Sequence, residues 1–226
     1  MKLAFEGFEK PIELLQGQVT TLEIENKTLF SRVVQSLVSK GGEPEEPFSL
    51  WIGEKRVNPD SVFFYVPDIF NLPYSNHALE SELYESLHEE FLVDNDKRIE
   101  LENLVNEVED LVSKTALSFS SSYSFGLSWK LDKLLKALDF RVGFETNARL
   151  IDNLIEFITF LHDIRFKKWV VFINLKLFFN QNDLDTFLNQ ANFFNISCLL
   201  LESIHNVSIY ENENKYSIDQ ALFEHW

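Results

Sequence analysis

Cysteine occurs once in the 226 residues, proline six times and glycine seven. The single thiol, Cys198, excludes an intramolecular disulfide and any cysteine-based zinc site. It lies in the apolar run ISCLLL, which reads as a core position and not as a nucleophile. Positive charge is also scarce, with 20 Lys and Arg against 36 Asp and Glu and a net charge of −16. The mean field of such a chain repels phosphate, so long-range attraction to nucleic acid is not the first expectation. The longest apolar runs, WVVFI and ISCLLL, are far too short to span a bilayer. Acids interrupt the opening MKLAFEGFEKPIEL, which is therefore no signal peptide, and one thiol fits a reducing cytoplasm. HExxH, G-x-S-x-G and a complete EF-hand loop are all missing, and the five histidines have no metal-ligand spacing. Nothing in these residues calls for an enzyme.

What is present is apolar bulk: 45% of the chain, with 22 phenylalanines. That is enough for a large core and too much for disorder. Residues 1–72 alternate in the manner of strands around one helix beginning near Lys27. The piece FSLWIGEKRVN reads as a hairpin turning at Gly53-Glu54, and SVFFYV as a strand covered on both faces. From His77 to Asp110 the texture becomes helical and acidic, with 12 acids against Lys97 and Arg98. These two helices meet near VDNDK, where Asp94 or Asn95 can cap the second. LSFSSSYSFG reads as a strand or linker, LSWKLDKLLKALD as a short helix, FRVGF as a strand and NARLIDNLIEFITFLHDI as a buried helix. KKWVVFINL and ISCLLLES then bracket a helix, with Asn182 expected as its cap, in a strand–helix–strand pattern that argues for parallel pairing. A short hairpin, VSIYENENKYSI, follows. The expectation is an α/β head with a parallel-strand core, built from residues 1–72 and 164–226, and an inserted, mostly helical leg over 73–163.

One turn needs separate argument. TTLEIENKTLFSRVVQSLV is strand, turn and helix, and Lys27-Thr28 stands where a phosphate-binding loop carries Lys-Ser/Thr. Such a loop uses glycines to aim backbone N–H groups at phosphates. Here the turn has none, and Glu23 and Glu25 would set carboxylates against the ligand. A solvated Lys27 at an ordinary helix start and a degenerate relic of an NTPase fold both fit.

The scarce cations are unevenly placed. Nine of the 20 lie between Lys130 and Lys176, among only six acids. Lys130, Lys133 and Lys136 recur at i, i+3 and i+6, which makes one stripe on a short helix. Arg141 follows, and Arg165, Lys167 and Lys168 precede the strand WVVFI. A solvated helix face and a non-specific phosphate-backbone patch both remain open. A symmetric ring would gather one such stripe from each subunit around a common axis.

The blocks KPIELLQGQVTTLEIENKTLFSRVVQSL, LLKALDFRV, KKWVVFINLKLFFNQNDLDTFLNQ and ISCLLLES together resemble the Csn-two family, the small fourth proteins of type II-A CRISPR loci. The likeness runs in order along the whole chain, as a pattern of lengths and apolar blocks. It implies a degraded P-loop-like head without catalytic activity and a helical leg. It further implies a homotetrameric ring that encloses double-stranded DNA, preferring ends, through lysines in its hole. The process implied is spacer acquisition, alongside the integrase pair and the RNA-guided effector nuclease of the locus. It also implies calcium, held by acids in the segment before the short middle helix. Here that segment is SFSSSYSFGLS, and no carboxylate occurs between Lys114 and Asp132. Two other functions stay open: a nucleotide-dependent enzyme using Lys27-Thr28, and a protein-binding scaffold using the acidic leg.

Overall fold

The computed structural model describes residues 1–39, 46–121, 130–143, 148–204, 210 and 212–225. The chain divides into two compact units, Met1–Pro73 with Phe144–Trp226, and Tyr74–Gly143.

The first unit is a mixed α/β fold. Its strands are β1 (Lys2–Phe5), β2 (Ile12–Glu13), β3 (Val19–Ile24), β4 (Phe48–Ile52), β5 (Lys55–Val57), β6 (Phe63–Val66), β7 (Trp169–Ile173), β8 (Cys198–Glu202), β9 (Glu213–Ile218) and β10 (Glu224–His225). Its helices are α1 (Lys27–Val38), α2 (Pro59–Val62), α6 (Leu150–Asp163) and α7 (Gln181–Phe193). The larger sheet runs β10-β9-β3-β8-β7-β6, and every neighbouring pair from β9 to β6 is parallel. The smaller sheet, β2-β1-β4-β5, is antiparallel throughout.

Burial explains the continuous apolar runs. Successive side chains of a strand face opposite ways, and both faces of this sheet are covered. Leu22, Ile24, Val171, Leu199 and Leu201 pack with Leu29, Val33 and Leu37 of α1 and with Leu3, Phe5 and Leu50 of the small sheet. On the other face Phe172 meets Phe187 of α7 edge to face, with ring centroids 5.9 Å apart. Asn26 caps α1 through its Leu29 amide. Asn180, not Asn182, caps α7, because its Oδ1 accepts from the Asp183 amide. Gly17 turns the chain into β3 at φ +74°, and a Cβ there would press on the Asn195 side chain.

The second unit holds α3 (His77–Val93), α4 (Asn95–Ala116) and α5 (Leu131–Ala137). Asp94 caps α4 by accepting from the Lys97 amide. Only Leu79 of α3 is buried, no residue of α4 is, and α5 buries Leu131 and Leu135.

Two expectations change. Helix α6 falls in the first unit and not in the leg, so the division lies near residue 143 and not 163. Its apolar face, including the fully buried Phe157 and Leu161, demands a core that only the α/β unit supplies. FRVGF forms no strand over residues 140–143, and Phe144 lies outside the described residues. ENKYSI is β9, a parallel neighbour of β3 that also pairs antiparallel with β10, while VSI of the expected hairpin falls outside the described residues. The serine-rich stretch read as a strand or linker makes turns and bends as far as Ser121, and the rest of it lies outside the described residues.

Candidate nucleic-acid interface

Helix α5 is short because its sequence offers two apolar anchors one turn apart, Leu131 and Leu135. Asp132 in its first turn and Lys136 in its last complement the helix dipole. Lys130 occupies the N-cap position, and Lys130, Lys133 and Lys136 are all exposed. None of the three makes an ion pair among the described residues.

The stripe is nevertheless split. Lys130 and Lys136 line a cavity of about 780 Å³ with His77, His88 and Glu85 of α3 and Arg98 and Glu102 of α4, while Lys133 does not. With Asp132 also in the wall, three fixed cations face three carboxylates. His77 and His88 stand eleven residues apart, three turns of one helix face, a spacing that motif searches for metal ligands pass over.

The other expected residues are scattered. Arg141 is exposed and pairs with Asp139 at 3.2 Å. Arg165, exposed at φ +51°, follows the end of α6, and Lys167 beside it is exposed. Lys168 is half-buried, and its Nζ donates to the Asp60 carbonyl at 2.9 Å. That tie holds the start of β7 to α2 and leaves Lys168 the least available of the seven. Lys130, Lys133, Lys136 and Arg141 thus belong to the second unit, and Arg165, Lys167 and Lys168 to the first.

The carboxyl ends of the parallel strands, where open α/β sheets bind ligands, are built differently from a phosphate site. Only Glu25 and Asn26 separate β3 from α1. The Glu25 amide donates to the Ile218 carbonyl and the Leu29 amide to the Asn26 side chain. Two of the backbone donors a phosphate would need are therefore engaged. Glu23 and Glu202 lie in register on β3 and β8, and both are fully buried. Lys176, on the 3-10 turn after β7, reaches Glu23 Oε1 at 3.4 Å and also pairs with Glu213. Lys215 closes on Glu23 Oε2 at 2.9 Å. The Lys176 amide donates to Glu202 Oε1, while Glu202 Oε2 has no hydrogen-bond partner among the described residues. Desolvation pushes the Glu202 carboxyl up to about 7. No local pattern marks Lys176, counted among the clustered cations, as internal. Burial likewise raises the Cys198 thiol, which remains inert in the core.

Among the described residues no three His, Cys, Asp or Glu side chains gather as a metal would require. Residues 122–129, within the segment where the resemblance sets calcium ligands, lie outside the described residues. Among the described residues, no helix is long and apolar enough to cross a membrane.

The family model for CRISPR-associated protein (Cas_Csn2) matches residues 44–222. The chain belongs to that family. Its fold as a Cas_Csn2 member is shared with a solved structure, the crystal structure of Stu0660 of Streptococcus thermophilus. The TM-score is 0.63, with 18% identity over 96% of this chain and 74% of that one. At that identity the likeness concerns the fold alone. A comparison with curated proteins returns no match. As a Cas_Csn2 protein the chain has a CRISPR-associated role.

Proposed function

We propose that this Cas_Csn2 protein is a non-catalytic binder of double-stranded DNA ends that works as a ring-shaped homotetramer in spacer acquisition, the adaptation stage of CRISPR antiviral defence. Its partners on this reading are the integrase pair and the RNA-guided effector nuclease of the same locus. The observation that carries it is the set of lysines on α5, exposed and without an ion pair among the described residues, in a chain of net charge −16. One such helix is a weak anchor, and copies arranged about an axis make a cationic lining. Assembly is supported by Leu104, Val108 and Leu111 of α4, which recur at i, i+4 and i+7 and are each more than half exposed.

The head is read as a degenerate P-loop-like body. Numbered along the chain, its parallel strands β3, β6, β7, β8 and β9 are ordered 5-1-4-3-2, with α1 leaving the first of them, β3, as a nucleotide-binding helix would. The Glu23–Lys176–Glu213 network and the two-residue turn at Glu25-Asn26 then stand where phosphates would sit. Nucleotide chemistry at Lys27-Thr28 is the weaker reading, and a melting shift with magnesium and ATP that Lys27→Ala abolishes would revive it.

The deciding experiment compares linear with covalently closed circular duplex of equal length in a gel shift. Linear DNA is expected to bind and closed circles to compete poorly. Lys133→Glu and Lys136→Glu are each expected to weaken binding of every sequence alike, and to reduce the slope of log K against log salt by about 1. Equal affinity for both topologies would defeat end binding. Normal assembly without any DNA binding would favour the scaffold reading.

A further inference from the structure

The four-stranded sheet has a second face, turned away from the core. On that face the register sets one row across the strands: Glu13 opposite Lys2, Lys2 opposite Trp51, and Trp51 opposite Arg56. Ala4 and Ser49 form the row beside it. Trp51 is 37% exposed, a large aromatic left on a solvent-facing sheet. Its indole Nε1 donates to Ser49 Oγ at 2.9 Å, two residues back on the same face. That bond fixes the ring's orientation. Directly opposite side chains of an antiparallel sheet have Cβ atoms about 5 Å apart, so a cation flanks the indole on either side. Lys2 and Arg56 are thus two inter-strand spacings apart, about 10 Å.

Neither cation is committed to the fold. Arg56, and Lys55 beside it, are exposed and make no ion pair among the described residues. Lys2 touches Glu13 at 3.6 Å with both side chains more than half exposed. An ion pair so wet contributes little and yields readily to a stronger anion. An exposed aromatic ring flanked by cations on an open sheet can stack an unpaired base and neutralise its neighbouring phosphates. Paired bases, stacked inside a duplex, cannot use it. The sheet's own hydrogen bonds hold the row in place without a ligand.

We propose that this face binds unpaired nucleotides, with a base stacked on Trp51 and phosphates on Lys2 and Arg56. The inference rests on the duplex-end reading only for where such nucleotides arise, at a frayed or overhanging end. It adds a site in the first unit, built on β1, β4 and β5, to the lysines of α5 in the second.

The test is fluorescence anisotropy of the full chain at low salt with three labelled probes: a blunt duplex, the same duplex with a short single-stranded overhang, and the overhang strand alone. The overhang is expected to tighten binding roughly five- to a hundredfold, the range of one stacked base. Trp51→Ala should remove that gain and leave blunt-duplex affinity unchanged, and Trp51→Phe should keep part of it. Arg56→Ala, which leaves the ring in place, should weaken strand binding and lower its salt dependence. Equal affinity for blunt and overhanging duplex would overturn the proposal, and so would a gain that survives Trp51→Ala. If the strand alone binds through Trp51 while blunt duplex is ignored, this face stands and the duplex-end reading falls. The reverse pattern separates them the other way.

Discussion

Helices α6 and α4 show how differently the two units are held. Of the 14 residues of α6, six are buried, among them Phe157 and Leu161 at 0% exposure. Of the 22 residues of α4, none is. The first helix is placed by tertiary burial, which is where most helical stability in proteins comes from. The second is capped by Asp94 and is long enough to persist, yet its apolar residues lack a full partner within the chain. A region that keeps Leu104, Val108 and Leu111 more than half exposed leaves an apolar surface that a second surface can cover. The α/β unit carries the fold, and the helical unit carries unsatisfied surface.

The widest gap should appear on cutting into the first unit. Phe187→Ala removes a fully buried ring that packs on Phe172. It should lower the free energy of unfolding by about 3–5 kcal/mol, read from denaturant midpoints. An α4 truncation of similar size, Leu111→Ala, should cost a small fraction of that in the isolated chain. Similar losses at both sites would mean that the helical unit has a core of its own.

A smaller effect isolates the internal charges. The Glu202 carboxyl, pushed up to about 7 by burial, keeps its proton in the folded state where the unfolded chain, near 4.3, has lost it. Its contribution is therefore fully present below pH ~4.3 and declines as pH rises to about 7, beyond which the folded group also ionises. The decline is on the order of 3 kcal/mol across that window, with the opposing hydrogen bond from the Lys176 amide already included. Glu202→Gln keeps the shape and cannot titrate, so its unfolding free energy should lack this component. Parallel pH profiles for wild type and variant would show that Glu202 is not the group responsible.

Legibility in the sequence followed the same division. The apolar runs FFYV, WVVFI and CLLLE announced β6, β7 and β8, because strands covered on both faces need no polar alternation. Strand β9 was hidden: ENKYSI sets charged side chains toward an internal network, so its pattern resembles a solvated hairpin. Lys176 was counted with the clustered cations for the same reason, since a lysine buried by Glu23 and Glu213 looks in sequence like any surface cation. The α5 lysines were legible as a stripe. Their separation into a cavity-lining pair and an outward Lys133 depends on α3 and α4, whose positions no local pattern encodes. The boundary at α6 was missed because an apolar helix declares that it is buried without declaring where.

The smallest change in the isolated chain should have the largest consequence between chains. Leu104→Glu with Leu111→Glu places two carboxylates on the open stripe of α4. Both residues are exposed, so folding of one chain should shift by no more than about 0.5 kcal/mol at each. If copies of the chain meet through that stripe, the same charges must be desolvated without partners, at several kcal/mol apiece. The variant should melt like the wild type at high dilution, yet run as a monomer in light scattering at concentrations where the wild type assembles. DNA binding should fall with it, because lysines of one α5 would no longer add to those of its neighbours. Assembly unchanged in the double variant would move the contact off α4. Assembly lost with DNA affinity intact would instead break the link between the ring and its cationic lining.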